Sequence, residues 1–227
     1  MKKKWWIAAA VVVVLAIVAL VVGPRIYSSL ESSDPAASVS TSGAVAATGD
    51  LDGRWTVTPG DDANRTSAGY TVAEVLNGTD VTVVGTTPDV SGSATIADQQ
   101  LTAGEIVVQT ATITTDSDRR DNQFRGNIFD VAANPTATFT VTSPVDLSSV
   151  PTDGTTATVT MDGTLTLKGQ TRDVSVDTQV LRSGETIVAS GSIPATWADY
   201  GIEPPSLGFV TVDPAGSVDF LVTLAAA

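Results

Sequence analysis

The sequence predicts an all-β domain that follows one N-terminal transmembrane helix. Three observations support this: an unbroken apolar run near the N-terminus, a polar stretch after it, and alternating apolar and polar residues from Gly53 onward. A period of two residues is typical of half-buried antiparallel strands, whereas helices repeat every 3.6 residues. We therefore expect an anchor at residues 1–27, a flexible linker at 28–50 and a β domain at 51–227.

The N-terminal anchor is predicted from three lysines followed by 18 uncharged, mostly apolar residues at positions 5–22. A helix of this length reaches about 27 Å, close to the thickness of a bilayer core. The lysines place the N-terminus in the cytoplasm and the β domain outside it, at the cell membrane. A cleaved signal peptide is the alternative and would make the protein secreted, but its apolar region usually spans only about 7–15 residues.

A polar segment follows the predicted anchor. Residues 28–50 are rich in Ser, Ala, Thr and Gly, a composition typical of a flexible tether.

The whole chain carries 12 basic and 25 acidic residues, and residues 1–50 hold four of the basic and three of the acidic ones. The β domain is therefore strongly acidic. This disfavours nucleic acid as a partner, since phosphates would be repelled.

The β domain contains several clear alternating segments. In residues 158–167, Val159, Met161, Leu165 and Leu167 share one face, and threonines dominate the other. Segments 173–180, 138–142 and 218–224 show the same alternation, the last less cleanly. Turn signals at 77–78, 151–154, 168–170 and 182–184 separate the strands. About eight strands at this spacing predict one sandwich or barrel.

One segment departs from the alternation. Residues 115–125 predict one or two helical turns, with Asp116 or Asp118 as the cap. Phe124, Ile128 and Phe129 follow and are unusually apolar for a surface connection. These side chains would either plug the sheet interior or line the mouth of a cavity.

Composition excludes several kinds of chemistry. The chain has no cysteine and no histidine, so disulfides, cysteine nucleophiles, Cys/His zinc sites and Ser-His-Asp triads are absent. The acids at 116, 118 and 121 do not follow calcium-loop spacing. A carboxylate-dependent hydrolase would need two acids about 5–9 Å apart in a cleft, which sequence cannot show. We expect no enzymatic activity, no metal site and no cofactor.

A small antiparallel barrel can also hold one ligand in its interior. The inward faces here would carry Val, Leu, Ile, Met and Phe, which suits a long apolar molecule. The same side chains could instead simply fill the interior. Composition and periodicity leave both interpretations open.

Several motifs together resemble the YceI family. Arg120-Asp121, Phe124, Phe129-Asp130, Pro135 and Phe139 align without a gap with its T-x-x-x-x-R-D-x-x-L-x-x-x-x-F-D-x-x-x-x-P-x-x-x-F pattern. Residues 163–172 resemble its G-x-L-T-I-x-G-x-T-[KR] strand and turn, and 197–202 its R-x-D-[FY]-G-I segment. Two residues depart from the pattern: Lys168 stands where His or another polar residue is common, and Trp197 replaces Arg.

The resemblance covers residues from Gly53 to the C-terminus and implies an eight-stranded, antiparallel, lipocalin-like barrel with a short helical insertion. It further implies a tunnel that binds a polyisoprenoid or an isoprenoid quinone, with Phe124 and Phe129 lining it. Tyr70 or Tyr200 would bond to a head group. A filled barrel serving as a cell-envelope structural or adhesion module is the alternative. Neither the oligomeric state nor the ligand's length is predicted. The expected tunnel-lining residues are Tyr70, Val72, Phe124, Phe129, Phe139, Val141, Leu165, Leu167, Val176, Trp197, Tyr200 and Phe220.

Overall fold

The computed structural model describes residues 38–206, 208 and 210–227. Eleven β-strands and one short α-helix lie in this part of the chain. The strands are β1 Gly53–Thr58, β2 Ser67–Leu76, β3 Thr79–Thr87, β4 Val90–Ala97, β5 Gln100–Gln109, β6 Thr136–Val141, β7 Val145–Asp146, β8 Thr156–Leu167, β9 Gln170–Ser183, β10 Thr186–Thr196 and β11 Val210–Ala226.

The strands form a closed, eight-stranded antiparallel barrel. Residues 223–226 of β11 pair with β1, and residues 210–221 pair along the same edge with β2. β1 and β2 are therefore two halves of one barrel strand, interrupted by the loop 59–66. β1 pairs with β4, and β2 pairs with β3, so β3 and β4 are likewise two halves of one barrel strand. The two-residue β7 pairs only with β5. Counting each interrupted strand once gives the eight strands that the sequence predicts.

The alternation in β8 is confirmed. Val159, Met161, Leu165 and Leu167 are all less than 10% exposed and belong to the barrel core, while the threonines between them face outward. β8 pairs with β9 over its full length, which fixes which face of each strand lies inside. A shift by one residue would place the threonines in the core, so the pattern itself selects the register.

The tight turns also form where the sequence places them. Asn77 and Gly78 connect β2 to β3 with φ values of 51° and 79°. Lys168 and Gly169 connect β8 to β9 with φ values of 48° and 74°. Two successive residues at positive φ characterise the type I′ hairpin turn, which matches the right-handed twist of the flanking strands.

The helical insertion lies between β5 and β6. Helix α1 spans Asp118–Gln123 and continues as a wider turn over Phe124–Ile128. The predicted cap is wrong: Ser117 occupies the N-cap position without a side-chain cap bond. Thr114, just before the helix, forms a backbone bridge with Thr86 of β3, so the insertion completes the wall beside this strand.

Residues 38–50 lie against the outside of the barrel. Asn64 exchanges two hydrogen bonds with the backbone of Ser40, at 2.8 and 2.9 Å, and Thr48 N donates to the Gly184 carbonyl. Val39 and Ala44 cover an outer apolar cluster made by Leu181, Val188 and Leu221. The prediction of a flexible linker over 28–50 therefore needs correction from residue 38 onward, because this part has an apolar patch to cover.

The predicted anchor at 1–27 and the first part of the predicted linker lie outside the described residues. Across residues 38–206, 208 and 210–227, no helix combines the length and apolar character needed to cross a bilayer.

Candidate functional site

The barrel encloses two adjoining chambers. The larger, of about 310 Å³, reaches the end of the barrel that carries the Asn77 turn, and we call it the mouth chamber. The smaller, of about 110 Å³, lies further inside and is called the inner chamber. The two chambers share four lining residues, Ala68, Val108, Ala137 and Val218, and so adjoin one another. We call the two chambers together the tunnel, and the boundary between them the passage.

Three aromatic side chains of the mouth chamber stack on one another. Phe124 lies at the centre of a stack, with ring centroids 5.3 Å from Tyr70 on one side and 5.3 Å from Phe129 on the other. Tyr70 comes from β2, whereas both phenylalanines come from the helical insertion. The insertion therefore supplies one apolar wall of the chamber. Of the two interpretations left open for Phe124 and Phe129, the lining role fits the structure.

The inner chamber is almost wholly apolar. Phe139 of β6 and Phe220 of β11 stack inside it, with centroids 6.5 Å apart and planes inclined by 17°. Other apolar side chains around it are Trp55, Ile96, Leu101, Met161, Leu165, Ile187, Ile193 and Leu224. Such a lining binds hydrocarbon by removing its surface from water, at about 25 cal/mol per Å².

Most of the residues predicted from sequence line this tunnel. Those at the mouth chamber are Tyr70, Val72, Phe124, Phe129, Leu167 and Trp197. Those at the inner chamber are Phe139, Val141, Leu165 and Phe220.

Val176 and Tyr200 are buried but line neither chamber. Val176 lies beside Gly191, where the ring of Phe220 also lies. Tyr200 ends the 3₁₀ turn Trp197–Tyr200, in which Trp197 takes the position on the chamber wall.

Charged side chains also line the mouth chamber, and they were not predicted from the sequence. Glu74 follows Val72 in the inward phase of β2 and is 8% exposed. Arg120 Nη2 donates to Glu74 Oε1 at 3.1 Å, and its Nη1 donates to Asp116 Oδ1 at 2.5 Å. This bridge ties helix α1 to β2. The signal in the sequence was a single charge in the apolar phase of an alternating strand.

The acidic cluster of the insertion has structural partners. Asp121 Oδ1 accepts hydrogen bonds from Thr115 N at 2.8 Å and from Thr115 Oγ1 at 2.7 Å. Asp116 pairs with Arg120, as described above. These carboxylates thus hold the turn that precedes α1 against the helix itself.

The two positions that depart from the family pattern also have clear contacts. Lys168 Nζ donates to the Ile128 carbonyl at 2.8 Å and to the Gly201 carbonyl at 3.2 Å. It thereby links the insertion to the segment after β10. Trp197 lines the mouth chamber with its indole against Gly216.

Tyr70 is the polar aromatic group of the mouth chamber. Burial raises its pKa to about 12, while the nearby Arg120 guanidinium acts in the opposite direction. The phenol is therefore neutral at physiological pH and can donate its proton in a hydrogen bond. Tyr70 lines the chamber that a ligand would occupy.

Alkaline pH is expected to destabilise the protein through Tyr70. Its pKa is 10.0 in the reference state and about 12 when folded, so the stabilisation is complete below about pH 10 and lost between about pH 10 and 12. Two pKa units correspond to about 2.7 kcal/mol. Urea unfolding at pH 8, 10 and 12 would measure this loss. Tyr70→Phe should reduce it only in part, because burial also raises the pKa of Tyr200. If the free energy of unfolding of Tyr70→Phe fell between pH 8 and pH 12 by as much as that of the wild type, the loss could not be assigned to Tyr70.

A closed antiparallel barrel with an apolar tunnel and polar groups at one end is the architecture of small ligand-holding β-barrels. The family model for the YceI-like domain matches residues 55–224, and the chain belongs to the YceI family. No curated protein matches the chain.

Solved structures share the fold at low sequence identity. A polyisoprenoid binding domain from Saccharophagus degradans, implicated in plant cell wall breakdown, is 20% identical with a TM-score of 0.58. The alignment covers 76% of this chain and 98% of that one. BcnA of Burkholderia cenocepacia is 19% identical with a TM-score of 0.53, and its alignment covers 69% of this chain and 95% of that one.

Proposed function

We propose that this protein holds a long apolar amphiphile, a polyisoprenoid or an isoprenoid quinone, in its tunnel and has no catalytic activity. The observation that carries the proposal is the pair of adjoining, mainly apolar chambers inside the barrel, with Glu74 and Arg120 at the mouth chamber. Hydrocarbon buried there gains about 0.8 kcal/mol per methylene. The proposal draws further support from the polyisoprenoid binding domain that shares the fold.

The tunnel also favours this function over the alternative of a structural or adhesion module. That alternative requires side chains to fill the barrel, whereas chambers of about 310 and 110 Å³ lie between them. Interiors of ordinary domains leave few voids larger than a water molecule. An empty space of this size is costly to keep unless a ligand occupies it.

The direct test is to identify what the protein carries. The full-length chain would be purified, extracted with organic solvent and analysed by mass spectrometry. We expect an isoprenoid-type lipid in near-stoichiometric amount. The matched control is Ala137→Phe purified in the same way, because this substitution closes the passage between the chambers. Equal lipid in both preparations would mean nonspecific carry-over, and an empty wild-type protein that also refuses added isoprenoids would remove the proposal.

Tyr70 is proposed to donate a hydrogen bond to the ligand's head group. Tyr70→Phe should weaken binding of a prenyl alcohol or quinone by about two- to tenfold, the worth of one hydrogen bond. Binding of an isoprenoid hydrocarbon without a head group should not change. Calorimetric titration of both ligands would measure this. An equal loss for both would instead mean that the substitution disturbs the aromatic stack.

We further propose that the N-terminal segment tethers the barrel to the cell membrane on its extracytoplasmic side. The support is the apolar run at 5–22 behind three lysines. The protein should then remain in salt-washed membranes after cell fractionation, and external protease should reach the β domain in spheroplasts. Recovery of a shortened chain in the soluble exported fraction would instead indicate cleavage.

A further inference from the structure

Four glycines of the barrel wall lie directly under aromatic rings of the tunnel. A Cβ built on Gly191 would lie 2.8 Å from Phe220 Cζ, and one on Gly163 would lie 2.6 Å from Phe139 Cε2. At the mouth chamber, a Cβ on Gly85 would lie 2.6 Å from Tyr70 Cε1. Similarly, a Cβ on Gly216 would lie 2.5 Å from Trp197 Cζ2. Real Cβ atoms do not approach other atoms this closely, so each ring occupies the space of a missing side chain.

Backbone conformation does not explain these glycines. None of the four has a φ in the positive region that favours glycine. Glycine within a strand weakens it, by roughly 0.5–1 kcal/mol relative to alanine within regular structure. Their common feature is instead the aromatic ring that each one accommodates.

Gly191 has the most informative position of the four. It pairs directly with Phe220 across β10 and β11, and the three atoms nearest to a Cβ there all belong to the side chains of Phe220 and Val176. Gly163 differs, since its Cβ would also clash with the Thr140 carbonyl oxygen at 2.6 Å. A substitution at Gly191 can therefore be relieved by moving the Phe220 ring, without displacing backbone.

The direction of that movement leads into the inner chamber. Phe220 lies two residues beyond Val218, which bounds the passage between the chambers. On the other side, Phe139 lies two residues beyond Ala137, and the two rings stack. A Phe220 ring displaced from Gly191 would enter the inner chamber, whose volume of about 110 Å³ leaves little room for both a ring and a ligand chain.

We propose that Gly191, by seating the ring of Phe220, determines how far a ligand chain enters the tunnel and hence which chain lengths the protein accepts. This inference rests on the proposed function and names its specificity determinant. A short chain ends in the mouth chamber and does not depend on Gly191. A long chain must reach past Ala137 and Val218 into the inner chamber, where the stacked rings of Phe139 and Phe220 lie.

The test compares linear prenyl alcohols of two, three, four and more isoprene units on the full-length protein. In the wild type, affinity should rise with each unit until the inner chamber is filled. Gly191→Ala should bind the shortest alcohol within twofold of the wild type and the longest at least about tenfold more weakly, since two or three methylenes lose their buried site. Gly126→Ala is the matched control, because a Cβ there would meet nothing within 4 Å.

A second variant keeps the test decisive if Gly191→Ala folds poorly. Phe220→Leu removes the ring and should extend the rise in affinity to longer chains. In the double variant, Phe220→Leu should restore long-chain binding to Gly191→Ala. A uniform change across all lengths, or no change, would overturn the length-determining role while leaving the proposed function intact. Failure of the wild type to bind any prenyl alcohol would overturn both.

Discussion

Replacing Arg120 with methionine is expected to lower the free energy of unfolding by about 3–5 kcal/mol, the usual cost of removing one partner of a buried ion pair. Glu74 is 8% exposed and would remain buried at the mouth chamber without this cation. The loss should be visible as a lower midpoint in urea with an unchanged slope. Amide exchange in residues 116–128 should also accelerate, because Arg120 ties this segment to β2.

The two partners of this bridge should not be equivalent. Arg120 also pairs with Asp116 at 2.5 Å, so Glu74→Gln leaves the arginine with a carboxylate. Glu74→Gln should therefore cost clearly less than Arg120→Met. The double variant Glu74→Leu/Arg120→Met should recover much of the loss, because apolar groups of similar volume often replace a buried pair without penalty. Equal costs for the two single variants would show that the pair is effectively solvated.

The fold could be predicted largely because several barrel strands carry their own two-residue period. In β8, neither Val159 nor Leu165 needs a distant partner to be assigned to the inner face. The segment 38–50 escaped prediction for the opposite reason. Its partners are Leu181, Val188 and Leu221, each of which follows or precedes another buried residue and so breaks the alternation. Such doubled apolar positions indicate an outer face that something covers, but not which segment covers it.

The candidate site was predictable as a set of inward aromatic residues, and only in part as a cavity. Periodicity assigns Val176 and Phe139 equally to the interior, but Val176 lies beside Gly191 and Phe220 and lines neither chamber, whereas Phe139 lines the inner chamber. That decision depends on pairing between strands far apart in sequence. The charged groups at the mouth chamber were not predicted, because the role of Glu74 depends on the insertion, which brings Arg120 against it.

Ala137→Phe, which fills the passage, is expected to weaken ligand binding strongly without lowering the stability of the fold. Ala137 of β6 lines both chambers and pairs with Val108 of β5. In Ala137→Phe, the added ring would occupy space that is void in the wild type. We expect a long isoprenoid to bind at least about 50-fold more weakly, because the ring excludes about three methylenes from their site. Titration with a long-chain prenyl alcohol would measure this.

The same substitution should not destabilise the fold. Cavity-filling changes commonly add about 0.5–2 kcal/mol to the free energy of unfolding, so Ala137→Phe should unfold at an equal or higher urea concentration than the ligand-free wild type. Thr140→Phe, on the outward face of the same strand, is the control and should leave binding unchanged. Weaker binding together with a less stable fold would mean that the ring is overpacked and has distorted the wall. Weaker binding in a protein at least as stable can come only from a void that the ligand needs, and this result would establish the tunnel as the binding site.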